Sequence, residues 1–149
     1  MMVWSLSMER NLKLTACAAV IFIVATAAVI ALTREPAALP CAEIGNATVQ
    51  GDRCIASGNV LLERDVQRLP DQLTIKGNLT IRGTPMQALP AGLVVEGNLT
   101  LYKTSIAMLP ADLIVAGDFD TYAGFGSPVI RCGEIPATVV IKGKRGCGN

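Results

Sequence analysis

The side chains in this sequence most capable of chemistry are its cysteines, four of which lie outside a long apolar run: Cys41, Cys54, Cys132 and Cys147. Four cysteines allow three disulfide connectivities, and their positions favour two short closures, Cys41 with Cys54 and Cys132 with Cys147. Each disulfide would stabilise the fold by about 3 kcal/mol in the chain-entropy model. A zinc site is the alternative, but the C-x2-C spacing typical of zinc ligands does not occur. We therefore predict two disulfides and no metal, in an oxidising compartment.

No set of nucleophile and base is recognisable, because the chain has no histidine, the usual general base. Ser57, Ser105 and Ser127 lack such a partner, and no Ser-x-x-Lys sequence occurs. The net charge of +1 provides no basic field that could hold a nucleic acid. The sequence therefore predicts a non-catalytic protein without a cofactor, a nucleic-acid partner or a small-molecule substrate.

A tandem repeat of twenty residues organises the second half of the chain. Leu69–Ala88 and Leu89–Met108 are identical at eight of twenty positions, and a third copy begins at Leu109. A partial copy spans Ile135–Gly143, and Gly58–Pro70 corresponds to the back half of a further copy. Tandem repetition of this length predicts a solenoid, here mainly β and of about four coils.

Each coil contains two segments in which apolar and polar residues alternate, Leu73–Lys76 and Leu79–Arg82 in the best copy. This period of two predicts half-buried strands. Gly77 and Asn78 between them predict a turn, because both residue types tolerate positive φ. Stacking the coils predicts four inward rows: Leu73, Leu93, Leu113 and Val139; Ile75, Val95, Val115 and Ile141; Leu79, Leu99 and Phe119; and Ile81 with Leu101.

Two outward rows are candidate interfaces: Arg82, Tyr102 and Tyr122; and Thr74, Val94, Ile114 and Val140. Tyr and Arg dominate the energetics of many binding surfaces, although such side chains also cover one another as cross-strand and cation–π pairs. The second row is rich in apolar β-branched residues, which suits contact with a partner but equally suits ordinary strand propensity.

The pattern LxLxxTxI at Leu99, Leu101, Thr104 and Ile106, with LP at a period of twenty residues, resembles a short bacterial leucine-rich repeat. The flanking cysteine pairs are similar to the caps of extracellular leucine-rich-repeat proteins. The resemblance covers roughly 58–143 and implies recognition of another macromolecule. Two alternating strands joined at Gly-Asn equally suit a right-handed β-helix, which is the alternative fold.

Before the repeats, Thr15–Leu32 is an uncharged run of eighteen residues, about 27 Å long as a helix and thus close to the thickness of a bilayer core. Arg10 and Lys13 precede it and favour a cytoplasmic N-terminus. We predict a cytoplasmic segment at 1–13, a transmembrane helix at 14–33, a linker and cap at 34–58, repeats at 59–130 and a C-terminal cap at 131–149. A cleaved signal peptide, cut after Ala31, is the rival interpretation.

Both interpretations place the repeats outside the membrane, in the periplasm or at the cell exterior. The predicted function is non-catalytic recognition of a protein or a glycan by a single-pass membrane protein. The alternative is a structural accessory subunit of a larger membrane complex, in which the helix itself makes specific contacts with a protein partner.

Overall fold

The computed structural model describes residues 36–122, 124 and 128–148. The described residues belong to one compact unit, Pro36–Asn149. The predicted cytoplasmic segment and transmembrane helix, 1–13 and 14–33, lie outside the described residues. Within the described part, no helix is long and apolar enough to cross a membrane.

The described unit is built mainly from short strands: β1 (Asn46–Gln50), β2 (Arg53–Ser57), β3 (Val60–Glu63), β4 (Leu73–Lys76), β5 (Leu79–Arg82), β6 (Val94–Val95), β7 (Leu99–Tyr102), β8 (Ile114–Val115), β9 (Phe119–Tyr122), β10 (Val140–Ile141) and β11 (Arg145–Gly146). Two short 3-10 helices lie at Cys41–Glu43 and Cys132–Glu134. The alternation predicted from the sequence gives β4 and β5 with the predicted bounds.

The strands form two sheets, ordered β1-β2-β4-β6-β8-β10 (sheet A) and β11-β9-β7-β5-β3 (sheet B). All pairs are parallel except β1 with β2, which is antiparallel and covers that edge of sheet A. Each turn of the chain thus adds one strand to each sheet, and the predicted solenoid is confirmed. It has about three regular turns rather than about four. The spacing is regular from Thr74 to Val94 to Ile114, and an insertion then separates Ile114 from its next partner, Val140.

The four predicted inward rows form the core. Every member is buried, from Leu73 at 0% exposure to Ile141 at 9%. The core also contains rows from the segments between β3 and β4, between β5 and β6 and between β7 and β8, which have no strand: Leu69, Leu89 and Leu109; Met86 and Ile106; and Thr84 with Thr104. These irregular segments close each turn and complete the core on the side that neither sheet covers.

The Gly-Asn segment connects the two strands of a turn, but not for the predicted reason. Neither Gly77 nor Asn78 has a positive φ. Instead, a Cβ at Gly77 would lie 2.6 Å from the carbonyl carbon of Gly58 in the preceding turn. The backbone N–H of Gly97 donates to the carbonyl of Gly77 at 2.9 Å, and Gly117 donates to Gly97 at the same distance. Glycine is required here because successive turns approach closely, backbone against backbone.

Both predicted disulfides are present. Cys41 and Cys54, with Cα atoms 5.7 Å apart, join the first 3-10 helix to β2. Cys132 and Cys147, with Cα atoms 5.2 Å apart, join the second 3-10 helix to the segment after β11. The disulfides therefore fasten both ends of the solenoid, where a stack of coils would otherwise expose its core.

Candidate functional site

Three parallel strands of sheet B place Arg82, Tyr102 and Tyr122 side by side on its outer face. Arg82 on β5 is in register with Tyr102 on β7, which is in register with Tyr122 on β9. In β5 and β7 the preceding apolar residue points inward, since Ile81 is 0% and Leu101 only 1% exposed; in β9 the preceding residue is Thr121, which is half-buried. Alternation therefore forces the following residue outward. We call Arg82, Tyr102 and Tyr122 the tyrosine row.

The side chains of the tyrosine row contact one another. The guanidinium carbon of Arg82 lies 5.6 Å from the ring centroid of Tyr102, and the Tyr102 and Tyr122 rings are 6.4 Å apart with an interplanar angle of 54°. The ammonium of Lys103 lies 5.2 Å from the Tyr102 ring centroid. Two cations therefore contact the Tyr102 ring, whereas Tyr122 remains 53% exposed. Tyr122 is the aromatic ring of the row that is most available to a ligand.

A second row of hydroxyl and carboxyl groups lies beside the tyrosine row on the same strands. Thr80, Thr100 and Asp120 are in register on β5, β7 and β9, and all three are half-buried. A shallow depression of about 430 Å³ is lined by Thr80, Thr100 and the three side chains of the tyrosine row. The depression therefore combines aromatic rings with hydrogen-bonding groups.

The other candidate row, Thr74, Val94, Ile114 and Val140, lies on sheet A rather than sheet B. Its members are in register on β4, β6, β8 and β10. Thr74 and Val94 are half-buried, while Ile114 is 39% and Val140 44% exposed. The sequence correctly predicted that both rows face outward. Because they belong to different sheets, they do not combine into one site.

Lys103 is the residue of this site that the sequence analysis missed. It follows β7 and has a φ of 52°, which a residue other than glycine rarely adopts. The equivalent residue of the preceding turn is Gly83, with a φ of 61°. A glycine in one copy of the repeat was the available indication that the chain turns sharply after each sheet B strand. It did not indicate that the lysine would fold back over a tyrosine.

A second depression lies at the start of the described chain. Pro36–Pro40 and Asp65–Arg68 line a volume of about 340 Å³. The backbone N–H of Leu39 donates to the carbonyl of Arg68 at 2.8 Å, so the linker is fastened to the first turn. Apart from the residues left undescribed, no three Cys, Asp or Glu side chains lie close enough together to hold a metal ion.

Comparison of the chain with family models, curated proteins and solved structures finds no match. The resemblance to leucine-rich repeats therefore rests on the sequence motifs alone.

Proposed function

We propose that this protein is a non-catalytic recognition module, held at a membrane by its N-terminal segment, that binds a macromolecule outside the membrane through the tyrosine row. The observation that carries the proposal is the exposed, in-register series Arg82, Tyr102 and Tyr122. Tyr and Arg are the residue types most enriched among the energetic centres of binding surfaces. The sheet fixes the backbone positions of the three side chains, which lowers the cost of ordering this surface on binding.

Packing of these side chains against one another does not account for all three members of the tyrosine row. The contact between Arg82 and Tyr102 would contribute about 0.5–1 kcal/mol at an exposed site, and it gives Tyr102 a structural role. Tyr122 is the last member of the row, and more than half of its surface faces solvent. An aromatic side chain this exposed contributes little to the core, which supports a role for Tyr122 in binding a ligand.

Two features support a location outside the membrane. Disulfides form and persist in oxidising compartments, and this chain has two at the ends of its solenoid. The apolar run Thr15–Leu32 has the length and composition of a membrane-spanning helix. A phosphatase that is active only in an oxidising compartment, fused after Asn149, should therefore be active; an inactive but intact fusion would contradict the proposed location.

The finer fold assignment is also a proposal. A leucine-rich repeat carries one strand per repeat and lines a single sheet, whereas each turn here carries two strands in two parallel sheets. This supports a β-helix-type coil that carries leucine-rich-repeat-like spacing in its sequence.

Binding through the tyrosine row is tested with the full chain, extracted in mild detergent, by co-sedimentation with envelope material from the cells that produce it. We expect the double variant Tyr102→Ala/Tyr122→Ala to reduce the bound fraction about tenfold, the effect of removing one or more aromatic anchors. Met108→Ala is the matched control, since Met108 is 75% exposed and lies outside the row. Equal binding by the unsubstituted chain, the double variant and Met108→Ala would contradict the proposal.

The exposed apolar pair Ile114 and Val140 on sheet A favours a second candidate, an accessory subunit of a membrane complex. Replacing 14–33 by an unrelated membrane-spanning helix separates the two candidates. A tethered recognition module keeps its binding after this exchange. An accessory subunit loses its place in a large complex, which native electrophoresis would reveal as migration near one detergent-bound chain.

A further inference from the structure

From the geometry of the tyrosine row, we infer that its ligand is an uncharged, linear, β-1,4-linked polysaccharide lying along the row, across strands β5, β7 and β9. This inference rests on the proposed function and names the class of macromolecule that the row would recognise. Three properties of the row support it: its repeat distance, its mixture of rings and hydroxyls, and its charge balance.

The first property is the repeat distance. Equivalent residues on neighbouring strands of a sheet recur about every 4.8 Å, and the row follows this direction because its members are in register. The rise per sugar in an extended β-1,4-linked pyranose chain is close to that spacing. Successive sugars, whose faces alternate along such a chain, can therefore lie over successive strands of the row. A surface that repeats at this distance suits a ligand that itself repeats at the same distance.

The second property is the chemistry of the depression. A pyranose has an apolar C–H face and a rim of hydroxyls. The exposed ring of Tyr122 offers a surface on which the C–H face can stack. Thr80, Thr100 and Asp120, in the adjacent row, supply hydroxyl and carboxylate groups that can exchange hydrogen bonds with the rim. The cations over Tyr102 fix that ring beside Tyr122.

The third property is charge. Glu63, on β3, continues the row beyond Arg82, and the two side chains form an exposed ion pair at 3.9 Å. The positive charge of Lys103, next to the tyrosine row, is balanced by the negative charge of Asp120 in the adjacent row. The surface therefore carries two positive and two negative side chains. It has no net field that would attract an acidic polysaccharide, a nucleic acid or an anionic lipid surface.

The experiment is native affinity electrophoresis of the full chain in mild detergent, in gels that contain one polysaccharide each. The probes are hydroxyethyl cellulose and galactomannan, both with a β-1,4-linked backbone, soluble starch as an α-1,4-linked comparison, and alginate as an acidic one. We expect retardation by at least one β-1,4-linked probe and by neither comparison. Tyr122→Ala should weaken the retardation about tenfold, while Tyr122→Phe, which keeps the ring, and Met108→Ala should leave it within about twofold.

Three results would overturn the inference: no retardation by either β-1,4-linked probe, stronger retardation by alginate, or retardation that Tyr122→Ala does not weaken. The co-sedimentation experiment separates this failure from that of the proposed function. If binding to envelope material still depends on Tyr102 and Tyr122 while both β-1,4-linked probes fail, the row recognises another macromolecule, a protein being the first to test. A thermal unfolding midpoint for Tyr122→Ala within about 2 °C of the parent excludes misfolding as the cause of lost retardation.

Discussion

The side-chain Oδ1 of Asn78 accepts a hydrogen bond from the backbone N–H of Asn98, twenty residues later, at 2.8 Å. The same contact recurs along the solenoid: Asn59 accepts from Asn78 at 3.0 Å, Asn98 accepts from Asp118 at 2.8 Å, and Asp118 accepts from Lys144 at 2.7 Å. These side chains form a continuous ladder beside the stacked glycines. The ladder connects each turn to the next at the corner where sheet A passes into sheet B.

Removing one member of this ladder should weaken the stack. Asn98→Ala deprives the N–H of Asp118 of its acceptor, and we expect the free energy of unfolding to fall by about 1 kcal/mol. The measurement is denaturant unfolding of the full chain followed by circular dichroism. Asn46→Ala, on the exposed surface of β1, is the control and should leave the midpoint unchanged. If the two variants unfold alike, the ladder contributes nothing to stability.

The stacked glycines should tolerate no side chain. In Gly97→Ala the new Cβ would lie 2.7 Å from both the carbonyl carbon and the carbonyl oxygen of Gly77, so the backbone of one turn has to move. We expect destabilisation of about 1–3 kcal/mol, as for other overpacked sites. Gly133→Ala is the matched substitution, because nothing lies within 4 Å of its Cβ and its φ is not positive. It should be neutral or stabilising by up to about 1 kcal/mol. Similar losses from both would exclude close approach as the cause.

The parts of the fold that the sequence predicts are those where a strand imposes a period of two. Leu73 and Ile75 alternate with polar residues, so their inward direction follows from the pattern, as does the outward direction of Arg82. The disulfides follow from the short separations within each cysteine pair. The tyrosine row follows from the twenty-residue repeat, which places Tyr102 and Tyr122 in register.

The sequence does not predict the features that lie outside the strands, where the period of two is absent. Met86 and Thr84 are buried in a segment without a strand, so no alternation marks them as inward. The role of Asn78 depends on a contact with the next turn rather than on its own φ, and local turn propensity cannot indicate it. The position of Lys103 over Tyr102 depends on the left-handed conformation of the lysine, which a single copy of the repeat does not predict.

Substitution of one cysteine in each disulfide should leave partner thiols that differ in reactivity. Cys132→Ser frees Cys147, which is half-buried, whereas Cys41→Ser frees Cys54, which is only 4% exposed. Both variants should lose about 3 kcal/mol of stability, as the chain-entropy model gives for loops of this length. In the folded protein, a maleimide should label Cys147 within minutes and Cys54 far more slowly. The background is the Cys17→Ser chain, so that only the released thiol reacts.

Labelling is followed by a gel shift, with denatured protein as the reference for complete reaction. Failure of Cys147 to react in the folded Cys132→Ser variant, while the denatured control reacts fully, would contradict the pairing of Cys132 with Cys147. Equally rapid labelling of Cys54 would show that the first turn opens when its disulfide is removed. In that case the first turn needs its disulfide to stay folded.

Thr84 offers a route to a more stable solenoid. Its hydroxyl Oγ1 is buried without a hydrogen-bond partner among the described residues, and the residue is only 3% exposed. Burial of an unpaired hydroxyl costs about 1–3 kcal/mol. Thr84→Val keeps the volume and removes the hydroxyl, so we expect the free energy of unfolding to rise by about 1 kcal/mol. Thr84→Ser is the opposite control, because it keeps the hydroxyl and loses a methyl group, and should lower stability by about 1 kcal/mol. Destabilisation by the valine would mean that the hydroxyl is satisfied in solution, for example by a buried water.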